Sequence, residues 1–274
     1  MQIKKIAGAL GAEVSGVDLT QPLPDEEARR IHGALLDHQV IFLRNQKLTL
    51  QQFLAFANAM GQPVDYPFVK GLPGFPQIIE VKKLEHETSN FGGIWHSDTT
   101  YLEEPPMGSM LLSREIPPYG GDTMFANQYM AYDALSPTMK DLLAPLVGIS
   151  SSAKADVSRT REDRIKTDGA GDASQQHLAE HPVVRTHPET GRKALYVNIA
   201  HTAGIKGLTD DESEPLLKFL FQHQVKPEFT CRFSWEPDTI AFWDNRCTQH
   251  NPVNDYHGFR RVMHRITLKG DRPV

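Results

Sequence analysis

Apolar positions along this chain keep two different periods, and each change of period marks an element. The first forty residues read as strand, strand, helix. Pro24 and Asp25 open the helix, and Ala28, Ile31, Leu35 and Leu36 form its apolar face. VIFLR at 40–44 is a short, nearly unbroken apolar run and reads as a buried strand. Thr49 and Gln52 make a capping box, and Phe53, Phe56, Ala57 and Met60 follow at helical spacing until Gly61. Proline and glycine crowd residues 63–76, which read as loop.

From 77 to 126 strands dominate: IIEV, WHSDTTY and MGSMLLS are short and bounded by turn residues. Ser136-Pro137 predicts a helix start, with serine as cap and proline in the first turn. Residues 151–181 are polar, charged and weakly periodic, so a long mobile excursion is expected there. ALYVN (194–198) reads as a strand, and Thr209 with Glu212 caps a helix bearing Leu216, Leu217, Leu220 and Phe221. In FTCRFSW (229–235), Phe229, Cys231, Phe233 and Trp235 alternate onto one face. TIAFWDN (239–245) and RVMHRITL (261–268) complete the strands. Many strands with few helices predict a mainly β chain, a double-sheet barrel with peripheral helices, in a single domain over 1–274.

Composition narrows the class. A net charge of -5, with acidic and basic residues intermixed, lacks the basic footprint of a nucleic-acid binder. No apolar run approaches 18 residues and no signal-like segment opens the chain, so no membrane partner is expected and the protein is placed in the cytoplasm. The two cysteines, Cys231 and Cys247, supply neither a disulfide framework nor a thiolate zinc site, and Cys247 reads as a small buried hydrophobe.

The candidate chemistry begins at WHSD. His96 and Asp98 are two apart, and on a strand such residues point the same way. An imidazole and a carboxylate could then reach one ion, with a second histidine supplied by His250, just past a predicted strand. Two histidines and one carboxylate leave three positions open on Fe(II). Among 12 histidines a lone HxD pair is a weak signal, so the surrounding residues must carry the reading. Arg261 follows His250 within FRRVMHR, and a buried guanidinium suits a carboxylate because it forks onto both oxygens. By period two, Arg261, Met263 and Arg265 share one face; a solvated edge strand is the other reading of this segment. His264 falls opposite and reads as structural. Trp95 and Trp243 read as packing residues, and His181 and His187, in polar stretches, as exposed.

At these residues the chain resembles the taurine dioxygenase / 2,4-dichlorophenoxyacetate dioxygenase family. The resemblance rests on GAEVSGVDL, WHSDTTY, GGDTMFAN, ALYVN and the block FWDNRCTQHNPVNDYHGFRRVMHRITLKGDRP. It implies a double-stranded β-helix (jelly-roll) core and iron held by His96, Asp98 and His250. It implies 2-oxoglutarate as co-substrate, its distal carboxylate on Thr123 and Arg261, and O2 as oxidant. Arg265 matches the position that grips the substrate anion, and Tyr66 resembles a tyrosine that helps there. Members acting on taurine carry an asparagine shortly before WH and a phenylalanine after YVN, where this chain has 91–93 as Phe-Gly-Gly and His201. The resemblance also implies a small anionic substrate (a sulfonate, sulfate ester or aryloxyalkanoate), release of succinate and CO2, and a homo-oligomer (dimer or tetramer); the need to keep water from a reactive oxidant gives 151–181 the role of a lid. Two other readings stand beside it. One is a zinc hydrolase using the same three ligands; the other is a non-catalytic β-barrel binding protein.

Overall fold

In the computed structural model, described for residues 1–67, 69–90, 92–154 and 177–274, the chain builds two facing β-sheets with helices packed outside. The larger sheet runs β1 (Gln2–Lys5), β2 (Ala12–Ser15), β3 (Val40–Leu43), β14 (Ile240–Asp244), β6 (Gly108–Glu115), β16 (Arg261–Leu268) and β4 (Pro63–Val64), with β5 (Ile78–Lys83) also pairing β16. All its pairs are antiparallel except β2 with β3. The smaller, facing sheet is β13 (Thr230–Phe233), β7 (Thr123–Asn127) and β15 (Thr248–Pro252). A further three-stranded sheet joins β12 (Thr202–Ile205), β8 (Val147–Ser151) and β9 (Leu178–Pro182), and β10 (Val184–Thr186) pairs β11 (Lys193–Leu195).

The unbroken apolar runs of β3 and β14 follow from burial on both faces. Ile41, Leu43, Ile240 and Phe242 point outward, against Ile31 and Leu35 of α1 (Asp25–His38) and Phe53 and Phe56 of α2 (Leu50–Met60). Val40, Phe42, Ala241 and Trp243 point inward, against Phe125, Cys231, Phe233 and Trp235. Alternation along a strand makes this division unavoidable once both sides are covered. The same parity turns Arg261, Met263 and Arg265 of β16 inward, and all three are buried. The solvated-edge reading of that strand is therefore wrong: β6 and β5 flank it on either side. A second core lies where α3 (Gln128–Asp133), α4 (Pro137–Leu143) and α5 (Asp210–His223) meet β10 and β11.

Several local expectations change. WHSDTTY is not a strand: His96 makes an isolated bridge to His250, and the chain then turns, with Thr99 at φ 42°. His250 follows β14 as expected, but lies inside a further strand, β15, that the sequence did not predict. ALYVN holds strand geometry only through Leu195. The α1 face buries Ala34 where Leu36 was expected. The polar stretch expected at 151–181 is strand at both ends, at Ser151 and at 178–181; the lid expectation falls largely on 155–176, outside the described residues. Among the described residues, no helix is long and apolar enough to cross a membrane.

Candidate metal centre

Two segments, the WHSD turn and β15, deliver three candidate ligand atoms to one point. The bridge between His96 and His250 is reciprocal, each backbone N–H donating to the other's carbonyl at 3.0 and 2.8 Å. That exchange pins the WHSD turn to β15 and brings the two rings to 4.1 Å, centroid to centroid. Asp98, two residues on, folds back so that Oδ1 lies 3.7 Å from His96 Nε2 and 3.8 Å from His250 Nε2. The three donor atoms lie within 4.8 Å of one another, and all three residues are buried.

Each ligand is oriented by different means. His96 Nδ1 donates to Ile94 O at 2.7 Å, which leaves Nε2 as the free lone pair. Gly92 (φ +72°) passes so close that a Cβ there would meet His96 Cε1 at 3.0 Å, so the Phe-Gly-Gly departure places bare backbone against this ring. His250 Nδ1 has no hydrogen-bond partner. Packing holds that ring instead, with Trp243 at 4.8 Å and Phe125 at 6.1 Å. Asp98 Oδ2 accepts from Ser109 Oγ at 2.8 Å and pairs with Arg265 Nη2 at 2.7 Å.

The charge states suit a cation. Burial works against ionising Asp98, but the Arg265 guanidinium, then His250, His96 and the Ser109 bond, outweigh it and hold the carboxyl well below the usual carboxylate range. Burial pushes His96 below its ordinary value, and burial with the neighbouring His96 pushes His250 further down. Two neutral imidazoles and a carboxylate are the deprotonated forms that a metal requires.

Beside the three ligands lies a cavity lined by Thr123, Trp235, Arg261 and Arg265. Arg261 is buried, yet its Nε and Nη2 have no partner. Burial lowers its pKa. Trp235 Nε1 donates to Thr123 Oγ1 at 3.0 Å, which leaves the threonine hydrogen free for an acceptor in the cavity. An unpaired guanidinium and a hydroxyl donor fit a carboxylate. Arg265 lies with its Cζ 5.3 Å from the Tyr66 ring centre, Tyr66 packs on Tyr101, and Tyr101 meets the His201 ring at 4.9 Å. His201 lies 6.0 Å from the His96 ring and shares a 3.0 Å hydrogen bond with Thr100 Oγ1. His96, Thr123, His250, Arg261 and Arg265 therefore line one cavity, Asp98 pairs with Arg265 beside it, and Tyr66 and His201 join the group through ring contacts.

A second buried trio, His187, Asp244 and Cys247, has ligand-like proximity but no vacancy for a metal. His187 Nδ1 accepts from the backbone N–H of Glu189 and Thr190, so Nε2 donates to Asp244 Oδ2 at 3.0 Å. Arg246 forks onto both oxygens of the same carboxylate, at 2.8 and 2.7 Å. The group ties the β14–β15 turn and so steadies the strand that carries His250. It also corrects the expectation for His187 and His181, which are 1% and 3% exposed rather than on the surface. Ser109 and Asn245 are neighbours of Asp98 that the sequence did not reveal; the first serine of MGSMLLS, polar in a largely apolar run, and the asparagine of FWDN were the available signals.

The family model for taurine catabolism dioxygenase TauD, TfdA matches residues 2–267. An alkylsulfatase of Acinetobacter baylyi is 35% identical over 99% of this chain and 86% of its own length. An alpha-ketoglutarate-dependent sulfate ester dioxygenase of Pseudomonas putida is 35% identical over 100% of this chain and 91% of its own. The crystal structure of a taurine dioxygenase from Burkholderia xenovorans superimposes with a TM-score of 0.85 at 37% identity, covering 100% of this chain and 92% of that one. Structures of that kind have a jelly-roll core, and the two facing sheets here form the same arrangement.

Proposed function

The chain belongs to the taurine catabolism dioxygenase TauD, TfdA family, and from that premise we propose that it is an Fe(II)- and 2-oxoglutarate-dependent dioxygenase that hydroxylates a small organic anion. His96, Asp98 and His250 would hold the iron, and Arg261 with Thr123 would hold the distal carboxylate of 2-oxoglutarate (alpha-ketoglutarate). Bound iron supplies O2 activation coupled to oxidative decarboxylation: one oxygen atom ends in succinate, the other in the substrate C–H bond, and CO2 leaves. The observation that carries this reading is the buried guanidinium of Arg261, with Nε and Nη2 unpartnered, lining the same cavity as His96 and His250, whose ring nitrogens converge with Asp98.

The chain's own residues do the remaining work. Arg261 and Thr123 fix one end of the co-substrate, so its keto acid end reaches the ligand cluster. The apolar walls Val81, Leu111 and Phe125 keep bulk water from the reacting carbon. Arg265, beside Tyr66, offers positive charge to an anionic substrate, with His201 nearby across Tyr101. The two sulfatase-type relatives favour an alkyl sulfate ester. Hydroxylation at the carbon bearing sulfate gives a product that collapses to an aldehyde and free sulfate, breaking the C–O bond; sulfonates and aryloxyalkanoates would react in the same sense at C–S and C–O. A dimer or tetramer in the cytoplasm completes the proposal, which light scattering tests for assembly. A zinc hydrolase leaves Arg261 and Thr123 without a role, and a binding module leaves the three ligands without one.

The test is succinate formation with Fe(II), 2-oxoglutarate, ascorbate and O2 across alkyl sulfates, sulfonates, aryloxyalkanoates and neutral analogues. Succinate should rise with one anionic class in step with its product. A rise with neutral compounds alone would remove Arg265 as the anion anchor, and no succinate from iron-loaded protein would overturn the enzyme assignment.

A further inference from the structure

Asp98 has two carboxylate oxygens, and only one faces the histidines. The other is enclosed by a polar network whose donors and acceptors can be counted. Ser109 Oγ receives an N–H from Asn245 Nδ2 and another from Arg265 Nη2, each at 3.2 Å. A hydroxyl has two acceptor sites and one hydrogen. With both acceptor sites taken, the Ser109 hydrogen has one use, and it is donated to Asp98 Oδ2 at 2.8 Å. Asn245 is fixed in turn: its Oδ1 accepts from Trp243 Nε1 at 3.0 Å and from the Asp98 backbone N–H at 3.3 Å. That pattern sets its amide orientation, so Nδ2 must face Ser109. Ser109, Asn245 and Asp98 are all 2% exposed or less, so water does not compete for these bonds.

We propose that Ser109, held by Asn245, is a positioning residue that locks the Asp98 carboxylate with Oδ2 turned into the protein and Oδ1 alone presented to a metal. The proposal rests on the metal reading of His96, Asp98 and His250 and deepens it. A carboxylate free to rotate can bind through both oxygens and take up a second coordination position. One locked through Oδ2 gives a single donor and leaves three positions open. Ser109 is suited to the task because it lies on β6 between β14 and β16, opposite Trp243 and Thr267, where neighbouring strands restrict its movement.

The experiment is Mn(II) binding by calorimetry to the metal-free protein, wild type against Ser109→Ala, Ser109→Thr and His250→Ala, with thermal unfolding recorded for each. Ser109→Ala should weaken Mn(II) binding about 10-fold or more, the usual scale for losing an outer partner of a ligand. Its unfolding temperature should fall by only a few degrees, about the scale of losing a buried hydrogen-bond partner, and Ser109→Thr, which keeps the hydroxyl, should recover most of the affinity. Wild-type affinity in Ser109→Ala overturns the inference while sparing the metal centre. An equal loss in the Ala and Thr variants assigns the effect to packing and also overturns it. Wild-type protein that fails to bind Mn(II), or binds it no better than His250→Ala does, overturns the metal reading and this inference with it.

Discussion

A buried guanidinium with unpaired N–H groups is costly, and Arg261, with Nε and Nη2 unpartnered, is such a group. Its cost is relieved when a carboxylate enters, so Arg261→Ala should weaken 2-oxoglutarate binding by about 2–5 kcal/mol while Mn(II) affinity holds. Calorimetry on Mn(II)-loaded, oxygen-free protein reads this directly. Arg265 behaves differently, because one of its nitrogens is already committed to Asp98 at 2.7 Å. Arg265→Ala should therefore raise the substrate KM and also weaken Mn(II) binding; a pure substrate anchor would change the KM alone. The convergence of His96, Asp98 and His250 was legible through the HxD pair and the later histidine, but strand alternation is not its cause. His96 and Asp98 converge through a turn after an isolated bridge, not through the side-chain alternation of a strand. Residue identity survives that error because the bridge to β15 sets the position of His96, and no local pattern in WHSD encodes a bridge 154 residues away. Ser109 and Asn245 were illegible for a related reason: their roles exist only once β6, β14 and the WHSD turn are brought together.

At the scale of the element, local signals worked where local physics decides the outcome. Thr49 Oγ accepts from Gln52 N at 3.2 Å and Gln52 Oε1 accepts from Thr49 N at 2.9 Å, as the capping box requires. Thr49→Ala should cost about 1 kcal/mol and lower Tm by about 2–4 °C without changing turnover, since α2 lies on the sheet face away from the ligands. The match of β16 to RVMHRITL over 261–268 follows from apolar alternation with both sides paired. β15 was missed because TQHNP carries little β propensity; its ladder with β7 and the His96 bridge hold it extended. The strand expected through Asn198 stops early because Asn198 turns to bond its neighbours: its Oδ1 accepts from His201 N and its N–H donates to Thr202 Oγ1.

Across the whole molecule, charge burial couples folding to pH. His264 Nδ1 accepts from Arg114 Nε at 3.0 Å, and burial, then the Arg114 charge, pushes this histidine down to about 4 from an ordinary 6.5. A depressed histidine must remain neutral to fold, so its contribution is complete above pH 6.5 and is lost as pH falls from 6.5 toward 4. His264→Gln, which keeps an acceptor for Arg114, should flatten urea-midpoint stability across that window; an unchanged slope would assign it to other groups. Asp244 acts further into acid. Burial opposes its ionisation, but Arg246 and His187 hold it well below the usual carboxylate range. Its contribution is present above the ordinary value of 3.8 and declines as pH drops below it. The same network runs from Arg246 to Glu189 and on to His32 of α1, joining the helix layer to the turn before β15. The double-sheet architecture was legible in the count and spacing of strands. The facing of its sheets was not, because β3 and β14 are apolar on both sides and alternation cannot orient them.

The most direct test of the account is an oxygen-free crystal structure with Mn(II) and 2-oxoglutarate. It should show the ion bound by His96 Nε2, His250 Nε2 and a single oxygen of Asp98, with the distal carboxylate on Arg261 and Thr123. An ion at any other residues, or a 2-oxoglutarate that leaves Arg261 unpaired, would contradict it.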